Sequence, residues 1–355
     1  MARKTIDIAL QGGGSHGAFT WGVLDRLLEL DDLEIAGISG TSAGAMNAIA
    51  LAQGLSEDGP ERARELLRTY WERVGEMARI SPFRRSWWDK MSGSWSLENS
   101  PGFLMSQFVQ QVASPYQFNP LDINPLEDLV RECFDFEAIN ARQGPKVFLS
   151  ATNVRTGRAK IFRQPNISVE AVMASACLPN LYKAVEIDGE AYWDGGYMGN
   201  PPLFPLIDET DVRDIVIVQV NPMERPNVPK TPYDIMNRLN EITFNASLAK
   251  EIRSLGFLWE LIHHENLERE AYRDARLHRI EAQDEMCALS ISSKMNVEMA
   301  FLDHLFGIGR ETAQKWIDTA YPEVGKRSTW WPREAFEESL KPAHLPDGAG
   351  RGGRS

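Results

Sequence analysis

The chain has little cysteine and no long apolar run, and each of these absences excludes a class of protein. Its three cysteines, Cys133, Cys177 and Cys287, are scattered over 355 residues without metal-ligand spacing. This pattern argues against a disulfide framework or a zinc site and favours a reducing compartment. No stretch approaches the roughly 20 apolar residues that a membrane-spanning helix needs. The first residues contain no apolar signal segment, so the sequence predicts a cytoplasmic protein.

The chain also lacks an excess of positive charge. It has 38 Lys and Arg residues against 50 Asp and Glu residues, which gives a net charge of −12. Sequence-independent binding to nucleic acid needs a basic surface, so this charge argues against nucleic acid as a partner. No cluster of histidines and carboxylates has ligand spacing, and the sequence therefore predicts no metal site. Calcium stays open, because scattered loop oxygens leave little trace in a sequence.

Strands and helices alternate along the first part of the chain. Apolar runs at 6–10, 34–38, 146–153 and 214–220 have the length and composition of strands, and helical patterns separate most of them. Such alternation is typical of an α/β fold with a mostly parallel sheet that is covered on both faces. We predict one domain over residues 5–220, with the sheet ending near Val220.

Three other segments depart from this alternation. Residues 80–120 are rich in proline and aromatic side chains, and they form either a lid or a packed excursion with its own small core. Residues 221–340 are mainly helical, with one short strand at 278–281, and we expect them to pack on the sheet. The small and polar tail over 341–355 is predicted to be disordered.

Two glycine-rich turns stand close together near the start of the chain. Gly12-Gly13-Gly14 follows the first strand, and Ser42 lies in Gly40-Thr41-Ser42-Ala43-Gly44 between the second strand and a helix. The G-x-S-x-G pattern in this context presents a serine hydroxyl on a sharp turn. Converging backbone N–H groups of a glycine loop can stabilise an oxyanion. Together they predict a serine hydrolase with Ser42 as nucleophile.

The serine needs a base, and Asp194 is the favoured candidate. It ends a predicted hairpin strand and is followed by Gly195 and Gly196, which allow the backbone to turn sharply. A carboxylate is a weak base at its reference pKa of about 4, so partial burial would have to raise that pKa.

Two alternatives use the same residues differently. Gly12, Gly14 and Gly17 fit a dinucleotide-binding fingerprint, but the strand that ends at Gly40 lacks the acidic residue that would hold the ribose. This disfavours a nucleotide-binding oxidoreductase. A Ser-Asp-His triad would follow the chain order of α/β-hydrolases and would take its base from one of four histidines. Those histidines are His263, His264, His278 and His304.

The four blocks together resemble the patatin-like phospholipase family. They are Gly12-Gly13-Gly14-x-x-Gly17, Gly40-Thr41-Ser42-Ala43-Gly44, Ala174-Ser175-Ala176-Cys177-Leu178-Pro179 and Asp194-Gly195-Gly196. The resemblance implies a three-layer α/β/α fold, a Ser42–Asp194 dyad without a histidine, and an oxyanion hole from the amides of Gly12, Gly13 and Gly14. It implies no cofactor.

The resemblance also implies hydrolysis of phospholipids, lysophospholipids or neutral lipid esters. Polyester and thioester substrates remain open, because the same dyad attacks any accessible acyl group. A non-catalytic lipid-binding protein with this fold is disfavoured, since both dyad residues are present. One position departs from the family pattern: His16 stands where many members carry arginine. Either a neutral histidine orients the loop less strongly and with a pH dependence, or it simply packs or hydrogen-bonds within the loop.

The predicted excursion suggests a membrane contact. Trp87 and Trp88 stand beside Arg84 and Arg85, and tryptophan next to basic residues suits the headgroup boundary of a bilayer. We therefore expect either peripheral contact with a membrane at these residues or an aromatic cluster packed inside the excursion. The oligomeric state is not indicated by the sequence.

Overall fold

One mixed sheet organises the part of the chain that the structure describes. The computed structural model describes residues 3–79, 81–141, 144–225, 227–230, 232–264 and 274–331, and the predicted tail over 341–355 lies outside them. Eight strands lie within these described residues: β1 (Lys4–Leu10), β2 (Leu33–Gly40), β3 (Lys146–Asn153), β4 (Ala159–Arg163), β5 (Val185–Ile187), β6 (Glu190–Asp194), β7 (Asp214–Val218) and β8 (Arg276–Ile280).

Helices separate and follow these strands. The described α-helices are α1 (Gly17–Leu27), α2 (Ala43–Glu57), α3 (Pro60–Glu76), α4 (Trp87–Met91), α5 (Pro101–Val112), α6 (Pro115–Phe118), α7 (Pro125–Cys133), α8 (Phe136–Asn140), α9 (Val169–Ser175), α10 (Phe204–Glu209), α11 (Pro232–His264), α12 (Gln283–Cys287) and α13 (Met299–Thr319). Within the described ranges, no helix combines the length and apolarity that crossing a membrane requires.

The strand order is β5-β6-β3-β2-β1-β7-β8, and β4 also pairs with β3. The pairs that join β3, β2, β1, β7 and β8 are parallel, whereas β4, β5 and β6 add antiparallel pairs. Parallel neighbours end at the same edge of the sheet, so the turns that follow β1, β2 and β7 meet there. The sheet is therefore mostly parallel, as the sequence predicts.

Helices cover both faces of the sheet. Every residue of β7 is buried, which is typical of a parallel strand with helices on both sides. Adjacent residues of β1 point to opposite faces: Ile8 packs in a core with helices that include α1, α2 and α13, and Ala9 packs in a second core with α10 and α11. The three-layer α/β/α arrangement is confirmed.

Local signals in the sequence place several elements correctly. Strand β3 has the predicted bounds, and Ser168 caps α9 by accepting a hydrogen bond from the amide of Ala171. The hairpin between β5 and β6 turns at Asp188 and Gly189, which both have positive φ as a primed turn requires.

The sheet extends further than the sequence predicts. We place its end near Val220, but β8 at 276–280 pairs in parallel with β7 and adds another strand at that edge. After β8 the chain forms α13, which packs against α1. The pairing of β8 joins segments about 60 residues apart in the chain, and local sequence patterns carry no information on such a contact.

Glycines allow α1 and α13 to approach each other at backbone distance. A Cβ atom on Gly22 of α1 would lie 2.0 Å from the carbonyl oxygen of Phe306, and one on Gly309 of α13 would lie 2.1 Å from that of Phe19. Neither distance is compatible with a side chain unless the helices separate. By contrast, a Cβ on Gly307 would meet nothing within 4 Å.

We predict opposite effects for alanine at the two α13 glycines. Gly309→Ala should lower the free energy of unfolding by about 1–3 kcal/mol, because an extra methyl group in a filled contact forces the helices apart. Gly307→Ala should raise it by about 0.5–1 kcal/mol, because it only removes glycine from a helix. Urea denaturation of both variants tests this, and equal stabilities would contradict the close helix contact.

Candidate active site

Ser42 lies on a strained turn between β2 and α2. Its φ of 55° and ψ of −123° place a non-glycine residue in a sparsely populated region of backbone conformation. The flanking glycines are needed for space: a Cβ on Gly40 would lie 2.5 Å from the carbonyl oxygen of Gly44, and one on Gly44 would lie 2.1 Å from that of Leu10. The turn therefore has the tight geometry that the G-x-S-x-G pattern predicts.

Hydrogen bonds hold the serine turn from two sides. The Ser42 amide donates to Ser175 Oγ at 3.0 Å, and the Thr41 hydroxyl donates to the Gly199 carbonyl at 2.6 Å. The Ser42 hydroxyl faces the Asp194 carboxylate and lowers the pKa of that carboxyl, as a hydrogen-bond donor does. Thus the structure brings the predicted nucleophile and the predicted base together.

The register of the sheet explains why Asp194 reaches the serine turn. Gly40, the last residue of β2, pairs with Leu149, and Asp194 pairs with Ala151 on the same strand β3. Both chain ends therefore lie at one edge of the sheet, although 152 residues separate Ser42 from Asp194. The Asp194 amide donates to the Cys177 carbonyl at 2.7 Å, which fixes the end of β6 against the segment that follows α9.

Gly195 and Gly196 leave room for close packing around Asp194. A Cβ on Gly195 would lie 2.1 Å from the Ser150 carbonyl oxygen, and one on Gly196 would lie 1.8 Å from the ring of Phe244. The Gly196 amide donates to Asp194 Oδ1 at 2.7 Å. The glycine pair therefore allows the carboxylate to be covered by protein.

Burial dominates the acidity of Asp194. The side chain is 1% exposed, and this burial raises the pKa of its carboxyl to about 7. Hydrogen bonds from Gly196 and Ser42 and the positive charge of Lys294 act in the opposite direction. A base with a pKa near neutrality combines substantial proton affinity with a substantial ionised fraction at pH 7. This is the upward shift that the sequence argument requires.

The glycine loop approaches the serine turn closely. A Cβ on Gly12 would lie 2.5 Å from the Thr41 carbonyl oxygen and 2.8 Å from Ser42 Cβ. The resemblance places the amide of Gly12 in an oxyanion hole, but in the structure this amide donates to Asn200 Oδ1 at 2.7 Å. The carbonyl of Gly12 accepts a hydrogen bond from Asn221 Nδ2 at 2.7 Å. Both polar backbone groups of Gly12 therefore have partners.

The next two glycines are also constrained. A Cβ on Gly13 would lie 2.9 Å from a methyl carbon of Val220. Gly14 has a φ of 59°, and a Cβ there would lie 2.5 Å from the carbonyl oxygen of Lys294. The left-handed backbone and the close carbonyl each favour glycine at position 14.

Buried amide side chains fix the loop, and the sequence analysis does not identify them. Gln11 Nε2 donates to Asn245 Oδ1 at 2.9 Å, and Gln11 Oε1 accepts hydrogen bonds from the amides of Val220 and Asn221. Asn200 and Asn221 then bind Gly12 from two directions. Polar residues at strand ends are common, so the sequence around these amide residues does not indicate what they bind. The one local signal is the glutamine that follows a buried strand.

His16 is a neutral, buried side chain. Burial first, and then the charges of Lys294 and Arg225, hold the pKa of His16 well below its usual range. The Ser293 hydroxyl donates to the Ser290 carbonyl at 2.6 Å, so at the 2.7 Å contact His16 Nε2–H donates to Ser293 Oγ. His16 therefore binds the C-terminal part of the chain and supplies no charge at neutral pH.

Gly17 marks the start of α1 beside the serine helix. A Cβ on Gly17 would lie 2.7 Å from Ala43 Cβ and 3.1 Å from the ring of Trp71. The first turns of α1 and α2 can therefore pack tightly, which brings the glycine loop and the serine turn together.

The histidines of the triad alternative make other contacts. His278 binds Asp214 Oδ1 through Nε2 at 3.0 Å and Thr329 Oγ1 through Nδ1 at 2.8 Å. His304 stacks on Trp95. His263 and His264 lie in α11, with side chains outside the described part of the structure. Among the residues described, no three His, Cys, Asp or Glu side chains form a group that could hold a metal ion.

A family model places this arrangement in a known group. The model described as patatin-like phospholipase matches residues 8–207, more than half of the chain. The chain belongs to the patatin-like phospholipase family. The matched region includes the glycine loop, Ser42 and Asp194, whereas β7, α11, β8 and α13 lie beyond it.

Solved structures of bacterial effectors are also similar to this chain. VipD from Legionella pneumophila is 15% identical, with a TM-score of 0.32, and the match covers 86% of this chain and 67% of VipD. The type III effector ExoU is 15% identical, with a TM-score of 0.31 and coverages of 86% and 54%.

The heterodimeric complex of ExoU and SpcU from the type III secretion system of Pseudomonas aeruginosa gives 15% identity and a TM-score of 0.32. Its match covers 95% of this chain and 62% of the other. The present chain thus spans only about half to two thirds of the length of these proteins. No curated protein sequence matches the chain.

We predict that Asp194→Asn stabilises the fold in a pH-dependent way. Because the pKa of Asp194 is raised to about 7, the native carboxyl stays protonated at pH values where the unfolded one ionises. The free energy of unfolding of the wild type therefore falls from about pH 4 to about pH 7, and the neutral amide avoids this loss. The variant should melt at least about 3 °C higher at pH 8, and the difference should shrink by more than half near pH 5.

Thermal unfolding at several pH values measures this difference. Asp303→Asn, at an exposed position of α13, serves as the matched control. A Tm difference for Asp194→Asn that is equal at pH 5 and pH 8 would contradict a raised carboxyl pKa.

Proposed function

We propose that this protein is a serine acyl-ester hydrolase that acts on lipid esters through Ser42 and Asp194. Membership of the patatin-like phospholipase family supports the reaction class. The observation that carries the assignment is the placement of the Ser42 hydroxyl, on a strained turn, facing the buried Asp194 carboxylate. This is the arrangement of a nucleophile and its base.

The first half of the reaction forms an acyl-enzyme. Asp194 accepts the hydroxyl proton as Ser42 Oγ attacks the ester carbonyl carbon, and the carbonyl oxygen becomes an oxyanion. We assign the oxyanion hole to the amides of Gly13 and Gly14, because Gly12 donates its amide to Asn200. The protonated Asp194 then donates its proton to the departing alkoxide, which leaves as the alcohol while the acyl group stays on Ser42.

The second half of the reaction returns the enzyme to its starting state. Ionised Asp194 accepts a proton from a water molecule as the water oxygen attacks the acyl carbon. Collapse of the second tetrahedral intermediate breaks the bond to Ser42 Oγ and releases the fatty acid. Asp194 returns the proton to Ser42 Oγ. A single carboxyl group with a pKa near 7 can serve as base and acid in turn, so the mechanism needs no histidine.

We also propose that α5 and α4 contact a lipid surface. The chain carries no Asp, Glu, Lys or Arg between Glu98 and Asp122. Within this uncharged stretch, α5 exposes a continuous apolar face, and Trp87 and Trp88 of α4 are 63% and 71% exposed. The face of α5 consists of Leu104, Met105, Phe108 and Val112. An exposed, uncharged and partly aromatic surface on a lipid hydrolase suits the interfacial region of a bilayer.

The structure corrects the assignment of one basic residue to this contact. Arg85 forms a salt bridge with Glu298 at 2.7 Å and lies 4.2 Å from the ring centre of Trp95, so its charge is used inside the protein. Arg84 remains exposed and can still face a headgroup. Trp95 packs against Phe301, which ties this end of the excursion to α13.

The catalytic assignment predicts that Ser42→Ala and Asp194→Asn each abolish turnover of p-nitrophenyl esters. A loss of at least about 1,000-fold is expected, because each variant removes one half of the nucleophile–base pair. A fluorophosphonate probe should label the wild type and Ser254→Ala, whose exposed hydroxyl bonds only to the Lys250 carbonyl among its described contacts. It should not label Ser42→Ala.

The Ser42→Ala and Asp194→Asn variants distinguish the proposed dyad from a histidine base. Substantial activity in purified Asp194→Asn would exclude the dyad and favour a histidine base. A chain-length series of esters, together with thioesters and phospholipids, then ranks the acyl substrates. An inactive and unlabelled wild type would contradict the hydrolase assignment.

The proposed lipid contact predicts a selective defect. A Leu104→Ser, Phe108→Ser variant should bind phosphatidylcholine vesicles at least about 10-fold more weakly, because it removes two large apolar side chains from the α5 face. Its activity on a soluble short-chain ester should change less than about twofold, since α5 contributes no group to the reaction. Phe257→Ser removes an exposed aromatic side chain from α11 and is the matched control. Equal vesicle binding by the double variant and the wild type would contradict the contact.

A further inference from the structure

A short segment beyond the family match forms one wall of the active site. Residues Ile291–Met295 make a 3-10 helix before α13. A Cβ on Gly14 would lie only 2.5 Å from the carbonyl oxygen of Lys294. Ser293 accepts a hydrogen bond from His16. The glycine loop is therefore held between Val220 on one side and this segment on the other.

The ammonium group of Lys294 is directed into the same network. Lys294 Nζ donates to Asn221 Oδ1 at 2.5 Å, while Asn221 Nδ2 donates to the Gly12 carbonyl at 2.7 Å. Asn221 can thus use both ends of its amide at once, with the lysine on one end and the loop on the other. The positive charge of Lys294 also acts on Asp194, where it favours the ionised carboxylate.

Among the described residues, the other basic groups around Lys294 are either paired or neutral. Arg225 and Arg238 share the carboxylate of Glu241, at 2.6 Å and 3.1 Å. His16 is neutral, as shown above. Burial lowers the pKa of Lys294 to about 8, with Glu241 and Asp194 raising it and Arg225 lowering it, so the group is mainly protonated at pH 7.

Two further titratable groups face Asp194. Burial raises the pKa of both Cys177 and Tyr197 to about 12, so neither changes its charge between pH 5 and pH 9. Among the charged groups of the described residues, Lys294 is therefore the one whose removal should shift the titration of Asp194 in that interval. Removal of the lysine charge should therefore shift the pH profile of any property that depends on the ionisation of Asp194.

We propose that Lys294 is a positioning residue of the active site: its ammonium group holds Asn221 against the glycine loop and adds a positive field at Asp194. The proposal rests on the proposed hydrolase function. The lysine contacts neither the nucleophile nor the base directly in the described hydrogen bonds, and it acts through Asn221 and through its electric field. At short range in a poorly solvated site, such a field is weakly screened.

The test compares Lys294→Met with Lys294→Arg. We expect kcat/KM of the wild type for a soluble p-nitrophenyl ester to rise with pH through an acid limb near 7. In Lys294→Met the limb should move to higher pH by up to about 1 unit, because a favourable positive charge is lost. At pH 7, kcat should fall about 10-fold with little change in KM, since the base is less ionised and the loop less well held.

The arginine variant distinguishes a charge effect from loss of structure. Lys294→Arg keeps the charge and should restore the position of the acid limb, even if it recovers only part of kcat. Lys315→Met, at an exposed position of α13, is the control and should match the wild type. An acid limb at the same pH in Lys294→Met and the wild type would overturn the proposal.

A second measurement does not depend on activity. The difference in free energy of unfolding between Asp194→Asn and its parent grows as the pH rises and becomes constant above the pKa of native Asp194. Measured by thermal unfolding in the Lys294→Met background, this levelling should occur at a higher pH than in the wild-type background. An unchanged profile would reject the proposed effect of Lys294 on Asp194 even if the wild type hydrolyses no ester. A shifted profile in a protein without esterase activity would instead reject only the hydrolase assignment.

Discussion

The proposed active site depends on the removal of one carboxylate from water. Asp194 is buried beneath the turn that follows β6, and this burial raises its pKa to about 7. An exposed aspartate would be ionised but too weak a base to accept a serine proton, whereas a buried one without partners would stay protonated. Gly196 and Ser42 lower the pKa of the buried carboxyl and so keep it between these two extremes. The two glycines after Asp194 allow the chain to close over the carboxylate.

The same site needs backbone segments that approach each other more closely than side chains allow. Gly12 lies against Thr41 and Ser42, and Gly44 lies against the end of β1. Close approach alone does not fix a loop, because glycine has many accessible conformations. Buried amides supply the missing constraint: Gln11, Asn200 and Asn221 satisfy the polar backbone groups of the loop. Each such group would be costly to bury without a partner, by about 1–3 kcal/mol.

Local chemistry explains which features could be predicted from the sequence. Ser42 and Asp194 are recognisable because each is flanked by glycines that the tight turns require, and the Asp188-Gly189 turn and the Ser168 cap are equally local. The functions of Asn200 and Asn221 depend on contacts with Gly12, about 190 and 210 residues away, and no pattern of neighbours indicates them. The pairing of β8 with β7 and the salt bridge between Arg85 and Glu298 are long-range in the same sense.

The C-terminal part of the chain links the proposed catalytic centre to the apolar surface. The Leu97 amide donates to Ser292 Oγ at 2.9 Å, so the excursion that leads into α5 is attached two residues from Lys294. The salt bridge of Arg85 with Glu298 fixes the same excursion at the start of α13. A single segment therefore borders the glycine loop on one side and supports the uncharged, exposed helix on the other. Because α13 packs against α1 through Gly22 and Gly309, that segment is held by the core of the fold rather than by the surface it supports.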